Sequence, residues 1–226
     1  QGDLVLLEDL RQNFEPLGAN CELGFLMGRL GIQRSSLFRW LFTPLASLEQ
    51  VLAEGLDRFF SEPVAVTDPV MAADMVVDQR TGLFFHAGEL RQQLEQAGDD
   101  PTALAQVRAG EACRDQRGKY RYLVEKFLAS VPVASTLHVF SDFHRELDEA
   151  AMLRIHSRLR DLGKPLGSTL LFVQPADGST PVNSVRCLGD GLQLAAIRRF
   201  APGEHADQID LEAWISVLSR SRQLSS

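Results

Sequence analysis

Cys21 is the residue of this sequence best suited to covalent chemistry, because of where it lies as much as what it is. Asn20 is a suitable N-cap and Gly31 a suitable stop, so residues 21–30 are predicted to form a short helix with Cys21 in its first turn. The positive end of a helix dipole favours the thiolate, which is the nucleophilic form of cysteine, and the amides there can stabilise an oxyanion. We therefore expect a lowered pKa for Cys21, with the carboxylate of Glu22 opposing the effect. A small buried cysteine without a chemical role is the competing interpretation.

Histidines are the natural partners for such a thiol, since imidazole takes up and releases a proton near neutral pH. His86 ends a predicted strand over residues 82–86 and is one candidate, although a histidine there often only bonds the backbone. His138 and His144 flank the end of another predicted strand and are rivals, with Asp142 as an orienting group. The sequence alone leaves this choice open.

Three segments carry a resemblance to a known family. The runs LGANCELGF at residues 17–25, RLGI at 29–32 and LFRW at 37–40 resemble a bacterial family of papain-like cysteine peptidases of uncharacterised function, whose members share a Leu-Gly-x-Asn-Cys opening. The segment FFH at residues 84–86 is similar to a later Phe-x-His segment of that family. The resemblance is clearest over residues 14–60, extends to His86 and is thin beyond residue 141. It implies that Cys21 is the nucleophile, carried on a papain-like N-terminal helix, and that His86 is its base.

Arg39 departs from the pattern of that family, in which many members have Asp before the tryptophan. An acidic role at that position is therefore absent from this chain. Arg39 is instead suited to binding a carboxylate or phosphate with two parallel hydrogen bonds, or to a buried ion pair with Glu22 or Glu15. Asn20, Glu22, Arg39 and Trp40 are the predicted supporting or substrate-binding residues.

Hydrophobic periodicity predicts an α/β (or α+β) fold with a central mixed sheet flanked by helices. A helix over residues 4–14 is followed by a break at residues 15–18, where Pro16 and Gly18 lie. Strands at 136–140 and 169–173 bracket a helix at 145–162, which predicts adjacent parallel strands in the core. Further predicted elements are helices at 48–59, 90–97, 102–112, 120–131 and 211–218, strands at 64–66, 70–77, 82–86, 184–188 and 192–200, and a frayed tail after residue 218.

Composition bounds the partners and the setting. The net charge of −7 comes without a basic stripe, so nucleic acid and membrane surfaces are poor partners, and no apolar run is long enough to span a bilayer. The three cysteines, Cys21, Cys113 and Cys187, show no metal-ligand spacing, which favours a reducing cytoplasmic setting and predicts no metal site and no cofactor. Cys187 is predicted to be buried, and His156 and His205 to be surface residues. The 226 residues are the size of a single domain, and the start at Gln1 also suits a segment of a longer protein.

Two function classes follow from these observations. One is a papain-like cysteine peptidase, or an acyl hydrolase or transferase, that uses a Cys21–His86 dyad on a peptide, amide or glycan-linked substrate. The alternative is a non-catalytic binding or accessory module, which the Arg39 departure favours. The resemblance implies that such a module would serve bacterial surface-polysaccharide or glycosyltransferase systems. A purely structural domain of a larger protein is a third interpretation.

Overall fold

The computed structural model describes residues 2–68, 73–86, 111–163, 167–178 and 180–225. Helices and strands follow one another along the chain, with a 3₁₀ turn at Gly203–His205 before the last helix. The elements are α1 (Gly2–Asn13), β1 (Phe14–Gly18), α2 (Glu22–Arg29), α3 (Leu45–Ala53), β2 (Pro63–Asp68), β3 (Ala73–Asp78), β4 (Phe84–His86), α4 (Glu111–Ser130), β5 (Leu137–Ser141), α5 (Glu149–Leu162), β6 (Thr169–Pro175), β7 (Ser184–Gly189), β8 (Leu192–Ile197) and α6 (Leu211–Ser225).

A five-stranded mixed sheet with the order β1-β5-β6-β8-β7 forms the centre of the fold. The first four strands are parallel, and β7 pairs antiparallel with β8 at one edge. The predicted parallel neighbours are confirmed, since Leu137 of β5 lies opposite Thr169 of β6. The predicted fold class, a mixed sheet flanked by helices, is confirmed as well.

The sheet separates two hydrophobic layers. Successive side chains of a strand point to opposite faces, and Val139 of β5 accordingly packs on one side while Phe140 packs on the other. The core on the Val139 side contains buried residues of α1, α2 and α6, among them Leu10, Leu23 and Trp214. The core on the Phe140 side contains buried residues of α3, α4 and α5.

Strand β1 lies where the sequence predicted the end of the first helix and no further regular structure. Pro16 has no N–H to donate, which disfavours a strand in the middle of a sheet but is compatible with an edge. Strand β1 is such an edge strand and pairs only with β5. The carboxyl ends of β1 and β5 therefore lie side by side. The predicted end of the first helix before residues 15–18 is thus confirmed, since α1 ends at Asn13, but the strand that these residues form was not predicted.

A second, three-stranded antiparallel sheet of β2, β3 and β4 carries His86. The predicted hairpin ending at His86 is confirmed, and Asp78 accepts a hydrogen bond from the Thr81 hydroxyl in its turn. The same carboxylate accepts from the Glu62 amide, just before β2. The predicted strand residues 70–72, the predicted helix at 90–97 and residues 102–110 of the next one lie outside the described residues.

The C-terminal segment is more ordered than the sequence indicated. Helix α6 continues to Ser225 instead of fraying after residue 218. Arg222 forms an ion pair with Asp9 at 2.7 Å, and Gln193 of β8 donates hydrogen bonds to the Ser221 carbonyl and the Ser225 hydroxyl. No helix in the described part of the chain is long and apolar enough to cross a membrane.

Candidate functional site

Cys21 lies just past the carboxyl end of β1, at the N-cap of α2. The sequence had placed Asn20 at the N-cap; in the structure Asn20 precedes it and its side-chain oxygen accepts a hydrogen bond from the Glu22 amide at 3.0 Å. This bond satisfies one of the amides that a helix start leaves without a partner. Asn20 therefore fixes the turn from which Cys21 projects.

The turn between β1 and α2 is also tied to two other segments. The Ser141 hydroxyl at the end of β5 donates to the Gly18 carbonyl at 3.1 Å and accepts from the Ala19 amide at 3.2 Å. The Thr43 amide donates to the Ala19 carbonyl at 2.8 Å. Gly18 has a φ of +105°, and a β-carbon there would lie 2.6 Å from the Thr43 side chain, so only glycine fits this approach.

Trp40 lies against the helix that begins after Cys21. A β-carbon on Gly24 would lie 2.5 Å from the Arg39 carbonyl oxygen and 2.7 Å from the Trp40 ring, so Gly24 permits this contact. The Cys21 thiol in turn donates to the Trp40 carbonyl oxygen at 4.0 Å. The Trp40 ring is 45% exposed and meets Phe25 edge-on, with the ring centroids 5.3 Å apart.

Arg39 makes neither of its predicted ion pairs. Its guanidinium lies over the Trp40 ring at 5.2 Å and donates to the Arg34 carbonyl. Glu15 is occupied by Arg34 and the Ser36 hydroxyl. The cation at position 39 thus serves to hold Trp40 in place.

Glu22 is an anchor inside the core, fully buried behind Cys21. Its two carboxyl oxygens accept hydrogen bonds from the Trp214 indole at 2.9 Å and from the Ala201 amide at 3.2 Å. Burial raises the pKa of Glu22 to about 7, and the two hydrogen bonds only partly oppose that effect. Glu22 therefore joins the start of α2 to the C-terminal helix.

His86 is held at the exposed end of β4. Phe42 and Phe84 form an isolated antiparallel bridge, with N–O distances of 2.7 and 3.3 Å, and their rings stack with centroids 4.6 Å apart. The same Phe42 ring meets the His86 ring edge-on at 5.1 Å. Phe42 thus links the small sheet to the segment that follows Trp40.

Cys21 and His86 line the same cavity, which has a volume of about 370 Å³. Phe25, Trp40 and Phe42 form much of its apolar wall, and the loop after β8 contributes Gly203, Ala206 and Asp207. Asp207 was not predicted as a site residue, because only the folding of the chain brings the loop after β8 to this cavity. It is the one carboxylate among the described residues that line the cavity.

The Cys21 thiol does not have the lowered pKa that we expected from its position at the start of a helix. Burial raises the pKa of Cys21 to about 11, so the thiol is protonated at neutral pH. The expected lowering by the helix dipole is thus outweighed by the loss of solvation. Any nucleophilic role of Cys21 needs a base that removes its proton.

The rival histidines lie elsewhere. His138 is fully buried in β5 beside Phe127 and Ser130, and burial lowers its pKa to about 3, so it stays neutral. His144 is exposed and belongs to a neighbouring cavity. The Asp142 oxygens accept hydrogen bonds from the amides of Glu146 and Leu147 and from the Gln174 side chain, so Asp142 orients no histidine in this arrangement.

Four other predictions concern cysteines and histidines outside the proposed pair. Cys187 was predicted to be buried but is exposed, on edge strand β7. His156 was predicted on the surface but is buried in α5, whereas His205 is exposed as expected. The side chain of Cys113 lies outside the described residues.

Within the part of the chain that the structure describes, no group of three His, Cys, Asp or Glu side chains is placed to hold a metal ion. Comparisons with protein-family models, with curated proteins and with solved structures give no match. The geometry of the cavity that contains Cys21 and His86 is therefore the basis for any functional argument.

Proposed function

We propose that this protein is a cysteine-dependent acyl hydrolase or transferase, with Cys21 as the nucleophile and His86 as its base. The observation that carries the proposal is that the two side chains line one cavity although Cys21 lies at the start of α2 and His86 at the end of β4. A cavity of about 370 Å³ lies within the range of about 300–1,000 Å³ that is typical of small-molecule sites. Peptides, amides and glycan-linked acyl groups are all compatible with this chemistry.

The reaction begins from the neutral thiol. His86 takes the thiol proton while the Cys21 sulfur attacks the carbonyl carbon, forming a C–S bond. The tetrahedral oxyanion is assigned to the backbone amide of Cys21, since the Glu22 amide already donates to Asn20. The imidazolium then protonates the leaving nitrogen or oxygen, whose bond to carbon breaks. Water or another acceptor, deprotonated by His86, then attacks the thioester carbonyl. The C–S bond breaks, the acyl group leaves on the acceptor, and the imidazolium returns its proton to the Cys21 sulfur.

Asp207 is the proposed orienting group for His86. A carboxylate beside the base stabilises the imidazolium that forms during proton transfer. Asp207 lines the cavity together with His86 and comes from a different segment of the chain. We expect the interaction between Asp207 and His86 to be modest in strength, because Asp207 is exposed to solvent.

A binding module without turnover is the second candidate function. The observation that favours it is the raised pKa of Cys21, which burial brings to about 11 and which makes the resting thiol a poor nucleophile. The exposed Trp40 ring, held between Phe25 and Arg39, offers a flat apolar surface at the same cavity. In this alternative the cavity binds a glycan-linked or peptide ligand and leaves it unchanged.

The test of the proposed function is the release of p-nitrophenol from p-nitrophenyl acetate by four proteins: the parent, Cys21→Ala, His86→Ala and the double variant. We expect Cys21→Ala to abolish cysteine-dependent turnover and His86→Ala to lower it by about 10²–10⁴-fold. The double variant should lose little more than Cys21→Ala, since residues that act as a unit are non-additive.

His205→Ala is the matched control, because His205 is exposed and lies beside the loop that lines the cavity. It should keep the parent rate. The catalytic variants should melt like the parent, since His86 is exposed and Cys21 is only half-buried. Turnover that survives in Cys21→Ala would contradict the proposal, and a parent that binds acyl compounds without turning them over would favour the binding module.

A further inference from the structure

A second cavity, of about 210 Å³, adjoins the one that contains Cys21. Phe42 lines both cavities, and Ala19, which lines the second, is two residues before Cys21. Two residues of extended chain span at most about 7 Å. A group bound in the second cavity is therefore within reach of a substrate carbonyl at the Cys21 sulfur.

The walls of this second cavity are largely apolar. Phe42 and Phe84 contribute their stacked rings, Leu45 comes from the start of α3, and Phe140 and Phe143 come from the end of β5 and the loop after it. The described residues that line it include neither lysine nor arginine. Exposed His144 and Glu146 complete the lining.

The buried polar groups of this cavity are already engaged within the protein. The Ser141 hydroxyl bonds the Gly18 carbonyl and the Ala19 amide. The Asp142 carboxylate accepts from the amides of Glu146 and Leu147 and from Gln174, at 2.8–2.9 Å. A polar ligand group placed there would lose its hydration and gain few hydrogen bonds, whereas an apolar group would lose nothing.

We infer that the second cavity is a specificity subsite for one apolar substituent, aliphatic or aromatic, of the carbonyl compound that reacts at Cys21. This inference rests on the proposed function for the identity of the reacting atom. The volume supports a single substituent, because sites for whole drug-sized ligands measure about 300–1,000 Å³. Substrates with an apolar group next to the attacked carbonyl are thus preferred over acetyl compounds and over compounds with a charged group there.

Alkylation of Cys21 by a series of N-substituted iodoacetamides tests the subsite without requiring catalysis. The sulfur displaces iodide and forms a C–S bond, and no acyl transfer takes place. Mass spectrometry gives the labelling rate of Cys21 relative to exposed Cys187, which corrects for the intrinsic reactivity of each reagent. We expect this ratio to be about tenfold or more higher for the N-benzyl and N-hexyl reagents than for the N-methyl reagent, because several apolar carbons leave water.

Leu45→Trp narrows the subsite and should reduce the preference to less than about threefold. The matched control is Leu153→Trp, since Leu153 is 51% exposed on α5 and lines neither cavity. If Leu45→Trp does not fold, Phe143→Ala takes its place; it enlarges the subsite and should move the preference toward an N-naphthylmethyl reagent. Equal ratios for all reagents, or a preference that neither variant changes, would overturn the inference.

The two proposals fail in different ways in these experiments. Suppose that the parent protein turns over p-nitrophenyl acetate but that its Cys21 is labelled without an apolar preference. This result would support the proposed function and contradict the subsite. An apolar labelling preference without turnover would support the second cavity as a ligand pocket and contradict the proposed function.

Discussion

Cys21 lies at the start of a helix that is anchored in the hydrophobic core, whereas His86 lies at the exposed end of a three-residue strand. Behind Cys21, the buried carboxyl of Glu22 joins α2 to Trp214, which lies 192 residues further along the chain. Behind His86, the contacts among the described residues are the pairing with Met75 and the edge contact with the Phe42 ring. One wall of the cavity is thus held by buried polar bonds and the other by rings near the surface.

This difference separates stability from activity. A substitution behind Cys21 removes contacts of the core and should destabilise the whole fold. A substitution beside His86 changes a few partly exposed contacts, so it should lower activity at nearly constant stability. The following predictions test this contrast, from the largest expected effect to the smallest.

Glu22→Ala should have the largest effect on stability. It leaves the Trp214 indole N–H and the Ala201 amide buried without an acceptor, at a cost of about 1–3 kcal/mol for each group. We expect the free energy of unfolding to fall by about 2–5 kcal/mol in urea denaturation. Glu22→Gln is the matched control, because its amide oxygen still accepts one of the two bonds. Equal losses in the two variants would show that the hydrogen bonds are not what holds α2.

The pH dependence of stability sharpens the same comparison. Because burial raises the pKa of Glu22 from 4.5 to about 7, the folded protein retains a proton that the unfolded chain has lost within that window. The stabilising contribution is complete below pH 4.5 and is lost as pH rises through about 7, by up to about 3 kcal/mol. The parent should therefore lose stability relative to Glu22→Gln as pH rises across the window. Parallel profiles would contradict the buried, uncharged carboxyl.

Gly24→Ala and Gly28→Ala should change stability in opposite directions although both lie in α2. The new β-carbon at position 24 would lie 2.5 Å from the Arg39 carbonyl oxygen, a clash that should cost about 1–3 kcal/mol and displace Trp40. The β-carbon at position 28 meets nothing within 4 Å, so alanine should stabilise the helix by up to about 1 kcal/mol. Thermal melts check both signs, and a neutral Gly24→Ala would refute the close approach of Trp40 to α2.

Phe42→Leu should have the smallest effect on stability and a clear effect on activity. It removes the stacked contact with Phe84 and the edge contact with His86, which together contribute about 1 kcal/mol beyond burial. We expect turnover of p-nitrophenyl acetate to fall severalfold, since His86 loses the ring that positions it. Phe42→Tyr keeps the ring and should keep most of the rate. An unaltered rate in Phe42→Leu would show that Phe42 does not position His86.

Much of the fold could be predicted from local patterns. The runs at 136–140 and 169–173 are apolar and bracket an amphipathic helix, a pattern typical of buried parallel strands. The strand that ends at His86 was predicted from its turn residues. Strand β1 was not, because Pro16 and Gly18 indicate a break unless the strand is known to lie at a sheet edge.

For the site, the sequence predicted which residues could carry the chemistry but not the contacts that surround them. Cys21 was identified from residue type and position, and His86 from the resemblance to a peptidase family. Three of the features that control these two residues come from distant parts of the chain. These are the Glu22–Trp214 bond, the loop that carries Asp207 and the burial that raises the pKa of Cys21. Each depends on tertiary packing, for which a single sequence contains no local signal.

The most direct test of the paired action of Cys21 and His86 compares two reactions of the same sulfur. Acylation by p-nitrophenyl acetate and alkylation by iodoacetamide both consume the thiolate of Cys21, so both depend on a base that removes the thiol proton. We predict that His86→Ala slows acylation of Cys21, followed by mass spectrometry in a single turnover, by at least about a hundredfold. Its alkylation by iodoacetamide at neutral pH should slow as well, whereas exposed Cys187 should be alkylated at the parent rate. Acylation that is as fast in His86→Ala as in the parent would contradict the account.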